Sequence, residues 1–77
     1  MEYTASMTAD TRQQFEALLQ AHRGIVFKVA ATYASHAEDR ADLAQDIAAQ
    51  LWRAFPGYDA QRPFPTWMYR IALNVAI

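Results

Sequence analysis

The chain reads as an all-α domain, a small bundle of three to four helices, and three observations predict it. Apolar residues make up 53% of the 77 positions, only two glycines occur, and the apolar residues recur at three- and four-residue steps on either side of one proline-broken loop. This length gives room for one domain with a core near the lower size limit, so modest stability is expected.

Residues 1–10 lack apolar periodicity and are expected to form a disordered lead-in, with Thr11 or Asp10 able to cap the first helix. Phe15, Leu18, Leu19, His22, Ile25, Val26, Val29, Ala30 and Tyr33 then trace one buried helical stripe. Gly24 interrupts this stripe without shifting its phase, which predicts two helices in line, or one helix kinked there, over about 11–23 and 25–35. The segment from Ser35 to Asp39 supplies turn and capping groups, with acids suited to the positive end of a third helix over about 39–55. On that helix Leu43, Ala44, Ile47, Leu51, Ala54 and Phe55 share an apolar face. Asp42, Gln45, Asp46, Ala49 and Arg53 gather opposite, with Trp52 at the border.

Pro56 and Gly57 stop the third helix, and the loop through Tyr58, Asp59, Gln61, Arg62 and Pro63 leads to a fourth over about 64–77. Pro65 suits the first turn, where an amide proton would have no partner. Phe64, Met68, Ile71, Ala72 and Val75 make the core stripe; Thr66, Arg70 and Asn74 face outward, and Tyr69, Leu73 and Ile77 also point away from the stripe. Nothing at Ile77 closes this helix, so it is expected to be truncated and the natural chain to continue.

The chain lacks cysteine, which excludes disulfides, thiolate metal sites and a cysteine nucleophile, and permits a reducing cytoplasm. His22 and His36 stand apart without metal-ligand spacing, so no metal site is expected. The carboxylates Glu38, Asp39, Asp42 and Asp46 occupy a helix start without the glycine and alternating oxygens of a calcium loop. With no phosphate-cradling glycine loop and no nucleophile–base pair, neither an enzyme nor a cofactor is expected. No segment approaches the roughly 20 apolar residues of a membrane span, and no secretion signal opens the chain, so a cytoplasmic protein without membrane contact is expected. The net charge of −1 argues against strong nonspecific nucleic-acid binding, yet the charges segregate. Acids cluster between Glu38 and Asp46, whereas Arg53, Arg62 and Arg70 against Asp59 leave a local excess of +2 after Ile47.

Two motifs carry a resemblance. The run from Asp42 to Phe55, DLAQDIAAQLWRAF, is followed by a loop containing Tyr58-Asp59 and then by FPTWMYRIALN from Phe64 to Asn74. Together they resemble conserved region two of the extracytoplasmic-function (ECF) sigma factors of bacterial RNA polymerase, and the resemblance covers about residues 12–77. Ala48 and Ala49 stand where that family often has bulkier residues, and Met68 replaces a leucine. The basic residues that usually follow Asn74, and the second, helix-turn-helix domain, lie outside this sequence, so DNA binding by this chain alone is expected to be weak or absent.

The resemblance implies that the third helix packs on the coiled-coil clamp of the polymerase β′ subunit, through Asp42, Gln45, Asp46, Ala49, Trp52 and Arg53. By periodicity alone this polar side reads as a solvated helix face. The resemblance also implies that the loop and fourth helix recognise and melt the minus-ten promoter element, with Tyr58, Arg62, Thr66, Trp67, Arg70 and Asn74 toward DNA. Tyr58 can serve as a stacking platform for an extruded base or fold over the edge of the core; Trp67, like Phe64 and Ile71, reads first as scaffold. The apolar groups facing outward on the fourth helix suit an anti-sigma partner, self-association, or a helical adaptor unrelated to transcription. A stand-alone DNA-binding helical protein is a further alternative, disfavoured by the long proline-rich loop between the last two helices.

Overall fold

The computed structural model describes the backbone from Glu2 to Ile77 and the side chains from Asp10 onward. Four helices occur among these residues, with no strand: α1 (Glu2–Ala21), α2 (Arg23–Tyr33), α3 (Ala37–Ala54) and α4 (Phe64–Ala76). A 3-10 turn over Phe55–Gly57 continues α3 into the loop. α1 begins earlier than the expected residue 11, so Asp10 and Thr11 lie inside the helix and cap nothing. The lead-in expected over residues 1–10 falls mostly on residues whose side chains lie outside those described.

The break between the first two helices falls at His22 and not at Gly24, which lies in the first turn of α2. The His22 amide is shared between the Leu18 and Leu19 carbonyls at 3.2 Å each, and its ring Nδ1 lies 3.3 Å from the Leu18 oxygen. The Ile25 amide then reaches back to the His22 carbonyl at 3.0 Å, a tighter closure that restarts the helix. His22 also sets its ring 5.6 Å from Phe64, so the break is packed on the start of α4.

α2, α3 and α4 pack on one another around Val26, Val29, Ile47, Leu51, Phe64, Met68 and Ala72, and α1 adds Phe15. Ile47, Leu51 and Met68 are the largest side chains sealed from solvent, as the apolar stripes of the two motif helices require. Ile71 and Val75 close the edge of this core. Tyr33, expected in the stripe, is 49% exposed, because at the end of α2 a groove separates it from Tyr69 and Leu73 of α4. The turn before α3 is held by Arg40, whose Nε and Nη2 donate to the Ala34 and Ser35 carbonyls at 3.0 and 2.8 Å. His36 occupies the N-cap position without a side-chain bond, so the side-chain cap expected from the preceding polar residues is not made, and Arg40 instead satisfies carbonyls at the end of α2 and in the turn. No helix among the described residues is long and apolar enough to cross a membrane.

Candidate functional site

The candidate residues fall on two separate surfaces. On α3, Asp42, Gln45, Asp46, Ala49 and Arg53 are all exposed along the side opposite Ile47 and Leu51. Arg53 donates to the Gln50 side-chain oxygen at 3.2 Å, while Asp42 and Asp46 make no ion pair among the described residues. Their carboxylates therefore stand ready for an external cation. Trp52, 38% exposed, rests its ring 5.2 Å from Phe15, an amphipathic anchor at the margin of this face. Beside it runs a groove of about 410 Å³, walled by Arg23 and Phe27 on one side and by Ala41, Ala44, Gln45 and Ala48 on the other. Phe27 is 57% exposed there, since the three alanines are too small to cover it. The sequence reading missed Phe27; its place just off the buried stripe, opposite a run of alanines, is the signal that could have found it.

The second surface is built by the loop and the start of α4. Arg62, Thr66, Trp67 and Arg70, with Pro63, line one cavity of about 250 Å³, bringing together four of the six residues assigned to DNA. Pro63 is also the N-cap of α4, so the positive end of that helix opens at the same place. Arg62 lies 4.0 Å from Asp59, an exposed pair too weak to hold the guanidinium against a phosphate. Arg70 makes no ion pair among the described residues. Asn74 is exposed one turn farther along α4 and does not line the cavity.

Tyr58 is half-buried in an aromatic cluster: its ring stacks on Phe55 at 5.8 Å and 15°, and lies 5.0 Å from Trp67 and 5.4 Å from Phe64. Of its two expected placements, the structure has the fold over the core edge. Its hydroxyl donates to the Arg62 carbonyl at 2.6 Å, and the Asp59 carboxylate accepts the Gln61 amide at 3.0 Å. These bonds fix the loop, and Trp67 turns from the same cluster toward the cavity, as both scaffold and lining. Among the described residues no group of three or more potential metal ligands comes together.

A family model for sigma-70 region 2 matches residues 18–77, which takes in both surfaces. The chain belongs to the sigma-70 region 2 family. The RNA polymerase sigma factor CnrH of Cupriavidus metallidurans is 29% identical over 70 residues, covering 91% of this chain. The chain spans about 37% of the length of that curated relative. No solved structure matches it. The family agrees with the one that the two sequence motifs resemble, and an all-helical bundle is the fold that the resemblance implies.

Proposed function

We propose that this region-two domain serves transcription initiation in an ECF sigma factor, docking on the β′ clamp of core RNA polymerase through α3 and capturing the minus-ten element through the loop and α4. The observation that carries this reading is the separation of the candidate residues: an acidic face on α3 whose carboxylates make no ion pair among the described residues, and a cavity edged by Arg62 and Arg70 at the start of α4. One domain can then hold two partners at once. Asp42 and Asp46 meet basic residues on the clamp, Gln45 and the small Ala49 let a partner helix approach closely, and Trp52 anchors the margin with Arg53 beside it.

At the second surface Arg62 and Arg70 take phosphates, Thr66 and Asn74 offer polar contacts to the strand, and Trp67 gives an extruded base a ring to stack on. Tyr58 acts by holding the loop in shape. Stacking gains roughly 1–3 kcal/mol per base, while extruding a base costs a few kcal/mol. One cavity therefore balances the unpairing of about one base, and the free domain binds promoter DNA weakly without its polymerase. In this reading the protein works in the cytoplasm, takes part in no covalent step and uses no metal or cofactor. An anti-sigma protein covering the outward apolar groups of α4 is compatible with it.

The test is binding to a purified β′ clamp coiled coil. Saturable binding by the wild-type domain, lost in a Gln45→Ala/Asp46→Ala double variant of unchanged helicity, is the expected result. Absence of binding by the folded wild type would separate this chain's fold from its proposed function.

A further inference from the structure

A third surface lies between α2 and α4. Lys28, Thr32 and Tyr33 face Tyr69 and Leu73 across a groove of about 370 Å³ whose lining includes no acid. Lys28 is the only lysine of the chain and makes no ion pair among the described residues. α2 and α4 carry no carboxylate, and of their three cations Arg23 lies at the α3 groove, Arg70 at the loop cavity and Lys28 here, whereas α3 alone holds Glu38, Asp39, Asp42 and Asp46. Tyr69 is 50% exposed and Tyr33 49%, leaving two aromatic surfaces at the groove with no partner ring among the described residues. The groove neighbours the loop cavity along α4: Thr66 and Arg70 line the cavity, Tyr69 and Leu73 line the groove, and these residues alternate along one broad side of the helix.

We infer that the groove between α2 and α4 is a second subsite for single-stranded DNA, receiving the strand that leaves the loop cavity, with Lys28 on a phosphate and Tyr69 stacking on a base. The inference rests on the DNA reading of the cavity. A cation beside exposed aromatic rings is the arrangement that binds single strands without sequence preference, and an acid-free lining excludes the repulsion that phosphates meet on α3. The groove also accounts for the exposed Tyr69; Leu73, expected to point away from the core stripe, instead packs against the core at the groove floor, because α2 reaches that side of α4.

The test measures anisotropy of a short fluorescent single-stranded oligodeoxynucleotide against salt, from low ionic strength upward, for the 77-residue chain and exposed-site variants of unchanged helicity. Lys28→Gln is expected to reduce the slope of log K against log salt by about 0.7, one phosphate contact, and Lys28→Arg to restore it. Tyr69→Ser is expected to weaken binding roughly fivefold or more with the slope unchanged. Wild-type affinity and slope in Lys28→Gln and Tyr69→Ser, with binding weakened in Arg70→Gln, would overturn the subsite and leave the cavity reading standing. No binding by the wild type at low salt would overturn the subsite, whereas the cavity reading, which expects weak or absent binding without polymerase, would stand. If Tyr69→Ser instead dissolves a self-associated species seen by sedimentation and leaves DNA affinity intact, the groove is an interface between copies and the inference fails.

Discussion

Tyr58 acts on both sides of the loop that carries it, stacking on Phe55 before it and bonding the Arg62 carbonyl after it. Tyr58→Phe keeps the ring contacts and removes only the hydroxyl, so denaturant unfolding is expected to show a loss of about 1 kcal/mol. Ile47→Ala is a harsher change, because a fully sealed side chain at the meeting of three helices leaves a cavity worth about 2–5 kcal/mol. Against a total of roughly 4–12 kcal/mol for a chain of this size, that variant is expected to lose much of its thermal transition in calorimetry. Ile47, Leu51 and Met68 were legible in the sequence, since their periodicity and chemistry agree. Tyr33 was not, because a stripe specifies which side of a helix is apolar but not how closely the facing helix approaches along it. Trp67 was legible only in part: its position at the border of the stripe left scaffold and contact open, and the structure has it packed in the aromatic cluster while lining the loop cavity.

At the level of elements, the His22 break shows why helix ends are harder to read than helix faces. Gly24 was the conspicuous residue, yet it has no positive φ and no heavy atom within 4 Å of where a Cβ would stand. Gly24→Ala is therefore expected to stabilise α2 by about 0.4–1 kcal/mol, visible as a raised unfolding midpoint. What ends α1 is a backbone amide shared between two carbonyls beside a ring packed on Phe64, and no local composition announces it. The turn into α3 has the same character, since Arg40 closes it through carbonyls that precede it in the chain. Arg40→Ala is expected to leave the core intact and to speed amide hydrogen exchange through Ser35 to Asp39. The loop is the better-read element: its prolines and its Tyr-Asp pair marked it, and Asp59 forms the turn that such a pair suggests.

Taken as one body, the domain separates charge that its net value of −1 conceals, with α3 acidic and the α2–α4 side basic. Asp42→Asn with Asp46→Asn removes two negative charges and brings the net charge to +1. Both carboxylates are exposed and lack ion pairs among the described residues, so stability is expected to change by no more than about 0.5 kcal/mol. Clamp affinity, titrated at two ionic strengths, is expected to fall and to lose part of its salt dependence. The segregation was readable from the order of charges along the chain. The way α2 sets Lys28 beside α4 depends on tertiary packing, and the sequence did not disclose it.

The placement of the two tryptophans gives the unlabelled chain a pair of optical reporters. Trp52 sits at the margin of the α3 face beside Phe15, and Trp67 lies among Tyr58, Phe55 and Phe64 at the loop cavity. No other indole is present. A Trp67→Phe variant therefore emits only from the α3 face and a Trp52→Phe variant only from the loop cavity. Rapid mixing of each with clamp and oligonucleotide would time the two encounters separately and reveal which arrives first.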